Sequence, residues 1–479
     1  MKSMLFVASE CLPYVKSGGL ADVIGALPKS LAKRGYDVRV VIPMYLKVAN
    51  KYREQFDNLC TFDVNIGNIH TTATIFSTKA DGVTYYFVQH AGYFERDGLY
   101  GYPDDGERFS FFQAAVLDML VPLDFFPDIM HCHDWHTGMV SAMCKIHYGW
   151  DERYSKIKHV YTIHNLAFQG NFPKSVLNDC LGFSDQYYYD GSMRFHDGGI
   201  SFMKSAIVFS DKITTVSPTY SNEILTPDMG ENLDEILRYR RYDLWGITNG
   251  IDTDLWNPKT DEILKKNYHA GAYKAGKRAC KKALQEELGL RVSKDTILLG
   301  VVSRLTYQKG VYLLLEKIYE ILGLDIQLVI LGTGETNVEN AFKDMESKFK
   351  RRAVYYCGYN EELAHKVYAG CDVLLMPSLF EPCGISQLIA MRYGTLPLVR
   401  ETGGLKDTVQ PYNMYTKEGN GFSFYPFNAH DLWFTIKSAV DTYYLDKEAW
   451  DNLIQNALNT DVSFERSTDM YEELYNSMF

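Results

Sequence analysis

The sequence places a motif suited to anion binding, Lys16-Ser17-Gly18-Gly19-Leu20, after its first predicted strand and at the start of a helix. Because glycine has no Cβ atom, the backbone at Gly18 and Gly19 can approach a ligand closely and can adopt positive φ. The following helix offers unpaired N–H groups and its positive dipole end, and Lys16 adds a full charge. These features predict a phosphate-binding turn, although the segment is neither a Walker A loop nor a dinucleotide fingerprint. The alternative is a glycine-containing turn that binds nothing.

A second candidate is a pair of cations, Arg304 and Lys309, on the loop that follows the predicted strand Ile297 to Val302. The guanidinium offers a planar fork of donors and the ammonium a compact charge, which together suit phosphate oxygens. Each charged hydrogen bond of this kind contributes about 1.5 to 3 kcal/mol. The loop therefore predicts a diphosphate site, and solvation at the surface is the alternative for either residue alone.

A carboxylate, Glu381, lies between an aromatic residue and a proline after the predicted strand Val373 to Met376. Held in a rigid turn at a strand end, it is suited to binding sugar hydroxyls or to facing a developing positive charge. An N-capping role is the alternative. Gly384 allows another close approach of the backbone, and Thr402-Gly403-Gly404-Leu405 repeats the glycine pair at a later helix start, where it predicts a second anion contact.

The segment His131-Cys132-His133-Asp134-Trp135-His136 contains metal-ligand residue types, but it lies at a strand end, where alternate side chains point in opposite directions. We therefore do not predict a zinc site. Asp134 is predicted to contact substrate, and Thr162-Ile163-His164-Asn165 similarly delivers His164 into the cleft. The alternative is a histidine that is satisfied within the core or a loop.

Short β-branched or apolar runs alternate with longer amphipathic segments, which predicts parallel sheets with helices on both faces. The predicted strands are Met4 to Ala8, Val38 to Ile42, Thr84 to Val88, Ile129 to Cys132, His159 to Ile163, Lys212 to Val216, and then Ile297 to Val302, Gln327 to Leu331, Val354 to Cys357, Val373 to Met376 and Leu396 to Val399. Ligands of open α/β sheets bind beyond the carboxyl ends of the strands, where the candidate residues fall. A turn-rich passage between the two series places a domain boundary near Asp252.

Composition limits the kind of partner. At 479 residues the chain is long enough for two domains, and its hydrophobic and charged fractions of 46% and 23% are those of an ordinary globular protein. The net charge of −11 argues against nucleic acid or an anionic membrane as a partner, so the basic stretch Lys265 to Lys282 is interpreted as a solvated helix face. Nine cysteines without C-x-x-C spacing, and no apolar run of about 18 residues, predict a cytoplasmic protein.

Seven ordered motifs closely resemble those of the bacterial glycogen synthases and plant starch synthases, glycosyltransferase family 5. They are Lys16-Ser17-Gly18-Gly19-Leu20, His133-Asp134-Trp135-His136, Thr162-Ile163-His164-Asn165, Thr248-Asn249-Gly250-Ile251-Asp252, Ser303 to Gly310, Phe380-Glu381-Pro382-Cys383-Gly384 and Thr402-Gly403-Gly404-Leu405. The resemblance implies an α/β GT-B fold, in which two Rossmann-like doubly wound domains face each other across a cleft. The expected domains are 1–252 on the acceptor side and 253–455 on the nucleotide-sugar side, with a C-terminal helix in 456–479 that packs back on the first domain.

The same resemblance implies transfer of glucose from ADP-glucose to the non-reducing 4-hydroxyl of an α-1,4-glucan, which is glycogen, starch or a malto-oligosaccharide. Configuration at the anomeric carbon is expected to be retained, with no cofactor and no required metal. A front-face displacement and a covalent intermediate both remain open. The alternatives are the same reaction with UDP-glucose, or a non-catalytic glucan-binding or scaffold protein of this fold. An NAD-dependent enzyme is disfavoured because no complete dinucleotide fingerprint is present.

By motif position, the resemblance assigns the chemistry to Glu381, His164, Arg304 and Lys309. The two cations are expected to hold the diphosphate as it leaves, and Glu381 and His164 to hold the glucose. Tyr359 resembles the residue that stacks on the nucleotide base. The other implied substrate-binding residues are Lys16, Gly18, Gly19, Asp22, Asp134, Asn165, Asn249, Cys383, Gly384, Ile385, Ser386, Thr402, Gly403 and Gly404.

Two positions depart from the pattern of related enzymes. Position 17 is Ser where the family often has Thr, which leaves a hydroxyl in place. Related retaining families carry a second Glu eight residues after the first, and this chain has Ile389 there. The second departure favours the synthase family over sucrose- and lipopolysaccharide-directed relatives.

Overall fold

The computed structural model describes residues 2–479, which divide into two units. Unit 1 comprises Met1–Asn249 and Phe464–Phe479, and unit 2 comprises Gly250–Ser463. The chain therefore leaves unit 1, forms all of unit 2 and then returns to unit 1. The change of unit after Asn249 lies close to Asp252, and the segment 456–463, placed with the terminal helix in the sequence analysis, belongs to unit 2.

The strands follow one another in the order β1 to β17. They are Ser3–Val7, Asp37–Pro43, Asp57–Ile66, Ile69–Ala80, Val83–Gln89, Ile129–His133, Lys158–Ile163, Asn171–Phe172, Ile200–Ser201, Lys212–Thr215, Leu244–Gly246, Ile297–Val302, Ile326–Gly332, Ala353–Cys357, Val373–Met376, Leu396–Arg400 and Phe422–Phe424. Every strand that the sequence predicted is confirmed to within one residue at either end.

The α-helices follow in the order α1 to α21. They are Gly19–Lys33, Leu46–Tyr52, Ala91–Phe94, Asp105–Asp118, Val140–His147, Glu152–Ser155, Ser175–Asp179, Gln186–Tyr189, Phe202–Phe209, Pro218–Glu223, Asp234–Tyr239, Tyr273–Glu287, Val311–Glu316, Ile318–Gly323, Thr336–Lys348, Glu361–Gly370, Ser386–Arg392, Gly403–Thr408, Ala429–Leu445, Lys447–Asn459 and Glu465–Asn476. Within residues 2–479, no helix combines the length and the apolar character needed to cross a membrane.

Unit 1 is built on a nine-stranded sheet in the order β11-β10-β7-β6-β1-β2-β5-β4-β3, and only β4 and β3 run antiparallel to their neighbours. The central strand β1 is fully buried from Met4 to Val7, as expected for a strand covered on both faces. It pairs with β2 on one side and with β6 on the other, so the direction of winding reverses between β1 and β6. Such a reversal opens a ligand crevice at the carboxyl ends of the two strands.

Unit 2 repeats this arrangement with a six-stranded parallel sheet in the order β14-β13-β12-β15-β16-β17. Its reversal lies between β12 and β15, because β12 pairs with β13 on one side and β15 on the other. The second ligand crevice is therefore expected where β12 and β15 end. The loops predicted to carry chemistry in this half follow those two strands.

The hairpin β3–β4 at the edge of the first sheet was not predicted. Its two strands are joined by Gly67 and Asn68, and Gly67 has a positive φ of 53°. A Cβ atom at Gly67 would lie 2.4 Å from the carbonyl oxygen of Asp179, so the turn requires glycine both for its conformation and for its packing on the end of α7.

The interpretation of Lys265 to Lys282 as a solvated helix face is wrong for two of its lysines. Lys277 and Lys281 on α12 are buried. Lys277 Nζ donates to the carbonyl oxygens of Ala369, Cys371 and Tyr393, each at 3.1 Å, and burial lowers its pKa to about 8. Lys281 Nζ lies 2.6 Å from Asp372 Oδ2. Both ammonium groups can be buried inside unit 2 because oxygen atoms accept their hydrogen bonds and so offset the cost of desolvation.

Helix α21 completes unit 1 after unit 2 has been formed. The guanidinium of Arg34, at the end of α1, donates to the carboxylates of Glu465, Asp469 and Glu472 on one side of α21. Deeper in the contact, Thr468 Oγ1 donates to Ser30 Oγ at 2.8 Å. This helix therefore contributes charged and buried polar contacts to unit 1.

Candidate active site

The candidate residues follow the ends of strands, and several lie at the two places where the sheets reverse. In unit 1, Lys16 follows β1 and Asp134 follows β6, while His164 follows β7, the next strand of the sheet. In unit 2, the loop with Lys309 follows β12 and the loop with Glu381 follows β15. In each unit these candidate residues therefore lie beyond the carboxyl ends of the strands, and their roles stay predictions.

The glycine turn of unit 1 is held by a carboxylate that the sequence analysis did not identify. Glu10 is 4% exposed, and it accepts hydrogen bonds from the backbone N–H groups of Ser17 and of Gly18, the latter at 3.2 Å. It also accepts from the hydroxyls of Ser17 at 2.8 Å and of Tyr100 at 3.0 Å. In this structure two N–H groups of the predicted anion-binding turn therefore bind an anion of the chain itself. Its sequence position, two residues after the first predicted strand, indicated that Glu10 lies at this edge of the sheet, but not which groups it binds.

The two glycines of this turn do not adopt the positive φ that the sequence analysis considered. Gly18 is extended, with φ −153°, and Gly19 is the first residue of α1. No heavy atom lies within 4 Å of a Cβ atom built on Gly18, so the space beside it is open. Lys16 Nζ lies 2.9 Å from Asp22 Oδ1 and its side chain is 28% exposed. The glycine at position 18 thus leaves room for a ligand but is not required by the backbone conformation.

Asp134 holds the turn that carries His164. Its Oδ1 accepts from the backbone N–H of His164 at 2.8 Å, and the N–H of Asn165 also bonds to this carboxyl group. The residue has φ 57° and ψ 178°, a combination that only glycine ordinarily adopts and that costs about 1 to 3 kcal/mol. Burial raises the pKa of Asp134 to about 7. The carboxyl group of Asp134 therefore helps to position the backbone of His164 and Asn165 at the end of β7.

The imidazoles of His133 and His164 are hydrogen-bonded to each other, with 2.9 Å between His133 Nδ1 and His164 Nε2. Burial lowers the pKa of both, in His164 to about 3, so both rings are neutral at physiological pH. Among residues 2–479, no group of three or more histidine, cysteine or acidic side chains is arranged to hold a metal ion. His133 was not among the predicted site residues, since the sequence cannot show which nitrogens meet.

Asn249 lies within the turn-rich passage Trp245 to Asp252, where the chain leaves unit 1. It is 5% exposed, and no hydrogen-bond partner for its Oδ1 is found within the described residues. A buried acceptor without a partner is unusual in a folded protein, because its desolvation is not offset. Asn249 therefore offers an unmatched buried acceptor at the position where its motif predicts a ligand contact.

Lys309 and Glu381, predicted as separate site residues, form an ion pair in unit 2. Lys309 Nζ lies 2.9 and 2.7 Å from the two carboxylate oxygens, and Ser378 Oγ donates to Glu381 Oε2 at 3.0 Å. The side chains are 19% and 9% exposed, so water screens the pair only weakly. The predicted phosphate ligand and the predicted sugar ligand therefore share a single charged centre.

The loops that carry this pair are fastened to each other by their backbones. Leu379 N–H donates to the carbonyl of Gln308 at 2.8 Å. Gly310 has φ 69°, and a Cβ atom there would lie 1.9 Å from the carbonyl oxygen of Pro377. The loop after β12 can therefore approach the loop after β15 only because position 310 is glycine.

The side chains of Arg304 and Tyr359, two further predicted site residues of unit 2, are exposed. Arg304 is exposed and forms no ion pair within residues 2–479, which leaves its guanidinium available to an anion. Tyr359 lies two residues after β14 and is 74% exposed. An exposed ring of this kind offers a face on which an aromatic base can stack.

The second glycine pair has a different use from the first. Cβ atoms at Gly403 and Gly404 would lie 2.0 Å from the carbonyl oxygen of Glu381 and 2.2 Å from that of Cys383. Gly404 N–H donates to the carbonyl of Glu381 at 3.2 Å, so this amide is already occupied. The glycine pair therefore allows the start of α18 to pack closely on the Glu381 loop. The similarity between this motif and Lys16-Ser17-Gly18-Gly19-Leu20 did not indicate such a packing role.

The remaining predicted residues lie around the same loop. Cys383 is buried and its carbonyl accepts from Gln387 Nε2 at 3.0 Å. Gly384 has φ 74°, and Ile385 and Ser386 lie at the start of α17, where Ser386 Oγ accepts from Tyr368 OH at 3.1 Å. Thr402 is the residue before α18. Two helix starts thus flank the carboxylate, and the set can bind an anionic, hydroxyl-rich ligand.

Comparison with known proteins agrees with this arrangement along the whole chain. A family model described as the starch synthase catalytic domain matches residues 3–239, and one described as glycosyl transferases group 1 matches residues 285–460. Proteins named glycogen synthase from Anoxybacillus flavithermus and Clostridium botulinum are each 48% identical to this chain, over 475 and 476 residues. The alignments cover 99% of this chain in both cases, and 98% and 99% of the relatives.

Two solved structures resemble the fold. The catalytic domain of starch synthase IV from Arabidopsis thaliana, bound to ADP and acarbose, has a TM-score of 0.92 at 34% identity and covers 99% of both chains. Sucrose-phosphate synthase from Thermosynechococcus elongatus has a TM-score of 0.60 at 16% identity, and the alignment covers 100% of this chain and 99% of that one. The second likeness concerns the fold alone.

Proposed function

This chain belongs to the glycosyltransferase family of the glycogen and starch synthases, and from that premise we propose that it elongates an α-1,4-glucan with glucose from ADP-glucose. It is an enzyme of that family, as its motifs predicted, and its two doubly wound units are those of the GT-B fold. The choice of ADP-glucose, the retention of configuration, the acceptor and the residue roles belong to the proposal.

The observation that carries the proposal is the ion pair of Lys309 with Glu381 at the reversal of the second sheet. Breaking the bond between the anomeric carbon and a diphosphate leaves negative charge on the phosphate oxygens and positive character on the sugar. Lys309 and Arg304 stabilise the first, and Glu381 stabilises the second. One charged centre can thus serve both ends of the breaking bond.

The residues of unit 1 complete the proposal. Lys16 and the backbone of Gly18 and Gly19 contact the donor, and His164, held by Asp134, binds a glucose hydroxyl. In the overall reaction the 4-hydroxyl oxygen of the acceptor bonds to the anomeric carbon, and the hydroxyl proton is released as the nucleoside diphosphate departs. We assign the acceptor side to residues 1–252 and the nucleotide-sugar side to 253–455.

Support for the donor comes from the Arabidopsis starch synthase, whose structure contains ADP and acarbose. In this chain Tyr359 provides the exposed ring for a base. We also propose that the enzyme acts in the cytoplasm, because all nine cysteines are free thiols, as a reducing compartment favours.

The test is an incubation of the protein with glycogen and with glucose-labelled ADP-glucose or UDP-glucose in parallel. Incorporation of label into polymer from ADP-glucose, at a higher kcat/KM than from UDP-glucose, is the expected result. Preference for UDP-glucose would overturn the choice of donor. Glycogen binding without incorporation from either donor would favour the non-catalytic glucan-binding alternative.

A further inference from the structure

The hydrogen bond between His133 and His164 restricts where their protons can be. The two acceptor-capable nitrogens, His133 Nδ1 and His164 Nε2, are 2.9 Å apart, so one proton lies between them. Each neutral imidazole carries a single N–H. The position of that one proton therefore fixes the tautomer of both rings.

The surroundings of His133 decide between the two arrangements. His133 is fully buried, and no hydrogen-bond partner for its Nε2 is found in residues 2–479. If the proton of His133 were on Nε2, a buried N–H donor would have no acceptor, which is the rarer and costlier defect in folded proteins. If it is on Nδ1, it is donated to His164 and only a lone pair is left unmatched.

We propose that His133 is a positioning residue that donates from Nδ1 to His164 Nε2 and thereby holds His164 as the Nδ1–H tautomer. The second ring nitrogen of His164 then presents a donor, never an acceptor. Nδ1 of His164 forms no hydrogen bond to the described part of the chain, and the residue is only partly buried. It is available to a hydroxyl oxygen, and on the proposed function that oxygen belongs to the donor glucose.

The ring of His133 is itself held in place. It stacks on Phe6 with 5.7 Å between the ring centroids and 18° between the planes, and it lies 4.2 Å from the ring of His131. His131 uses both of its nitrogens, with Tyr475 OH at 2.8 Å and Thr162 Oγ1 at 2.6 Å. A column of rings therefore runs from Tyr475 on α21 to His164, and it gives His133 little freedom to turn.

The direct test is a long-range ¹H–¹⁵N spectrum of the full chain with ¹⁵N-labelled histidine, recorded without substrate. The His164 signals are assigned by their loss in a His164→Gln variant. A protonated Nδ1 and a bare Nε2 in His164 are the expected result. A protonated Nε2 would overturn the proposal, and no variant of His133 is needed to reach that decision.

Variants of His133 test the consequence for activity. In His133→Asn the amide Nδ2 is attached to Cγ, as Nδ1 is in histidine, so it can still donate a hydrogen bond. His133→Leu removes the donor. We expect the leucine variant to lower kcat about tenfold, the worth of one hydrogen bond, with unchanged affinity for ADP, and the asparagine variant to recover most of it. Equal kcat in the leucine variant and the parent would overturn the proposal, as would equal loss in both variants with folding intact.

His159→Gln is the matched control, because His159 is a fully buried histidine at the other end of β7. It is expected to leave the tautomer of His164 unchanged. The proposal rests on the proposed function for its sugar ligand, but the two can fail separately. If Nδ1 of His164 is protonated but the protein forms no glucan, the proposed function is wrong and the proposed tautomer stands. If the protein forms glucan but Nε2 is protonated, the proposed tautomer is wrong and the proposed function stands.

Discussion

At the scale of single residues, the candidate site residues form pairs that hold each other in place. Lys309 and Glu381 neutralise one another in unit 2, and Asp134 and His133 hold His164 in unit 1. If Lys309 binds the diphosphate as we propose, the diphosphate meets a cation already oriented by a carboxylate. Such prior orientation lowers the reorganisation that the transition state requires.

Variants of the Lys309–Glu381 pair distinguish its contribution to stability from its contribution to catalysis. Lys309→Met leaves the Glu381 carboxylate nearly buried and unpaired, so we expect the free energy of unfolding of unit 2 to fall by about 3 kcal/mol and kcat to fall at least about 10²-fold. The double variant Lys309→Met/Glu381→Gln should regain most of the stability and none of the activity. Urea unfolding and single-turnover rates measure the two effects, and activity restored in the double variant would remove both charges from the chemistry.

Lys16 is predicted to act on donor binding. Lys16→Ala should raise the KM for the nucleotide sugar about tenfold or more, the worth of one charged hydrogen bond, with little change in kcat. Lys29→Ala is the control, because Lys29 lies on α1, the helix that follows Lys16, and is paired with Asp81 at 2.9 Å. Steady-state kinetics of both variants give the answer, and an unchanged donor KM in Lys16→Ala would take this lysine out of the donor site.

At the scale of elements, the two Gly-Gly-Leu helix starts look alike in sequence and differ in structure. Gly403→Ala would force a Cβ atom to within 2.0 Å of the carbonyl oxygen of Glu381 at φ 44°, so we expect the free energy of unfolding of unit 2 to fall by about 2 to 4 kcal/mol. Gly18→Ala meets no heavy atom within 4 Å and should leave stability unchanged while weakening donor binding. Thermal unfolding and donor KM compare them, and equal stability of the two variants would contradict the distinction.

The parallel strands were predictable because central strands are continuous apolar runs, as in Ile297 to Val302, and such runs are recognisable without knowledge of their neighbours. The β3–β4 hairpin was missed because its residues alternate polar and apolar at a sheet edge. Its turn, Gly67-Asn68 between Ile66 and Ile69, carried a readable hairpin signal. The short strands β11 and β17 gave too few residues for a pattern.

The sequence indicated where along the chain the candidate residues lie, but not which atoms they contact. The candidate residues lie after the strands, as expected, since topology alone sends them to one edge of a sheet. The partners of those residues depend on loop conformations that no spacing rule specifies. Glu10 beneath the glycine turn, and His133 beside His164, are therefore visible only in three dimensions.

At the scale of the whole molecule, unit 1 carries a group of neutral, buried or half-buried histidines whose protonation opposes folding. They are His131, His133, His136, His159 and His164, and burial lowers the pKa of each. The ordinary pKa is 6.5, so the unfolded chain takes up these protons first as the pH falls, and the native state follows only near pH 4 for His159 and pH 3 for His164. Their stabilisation is complete above pH 6.5 and is lost below it.

We therefore expect unit 1 to lose stability between pH 7 and pH 5, by about 1.4 kcal/mol per pH unit for each histidine once the pH is well below 6.5. Asp134 acts in the opposite sense, because a carboxyl with pKa about 7 is protonated in the native state first, and it offsets about one histidine. Hydrogen exchange in urea follows the two units separately. His159→Gln should reduce the dependence by one histidine, and an equal pH response in both units would contradict the prediction.

The path of the chain has a consequence for its biosynthesis. Helix α21 follows unit 2 in the sequence but belongs to unit 1, where Tyr475 hydrogen-bonds to His131 and three carboxylates of the helix bind Arg34. A ribosome must therefore translate the whole of unit 2 before the first-made unit can close. During that interval the nascent chain waits with an uncovered face, which is a substrate for chaperones, and a prematurely terminated product would carry that face permanently and be open to proteolysis.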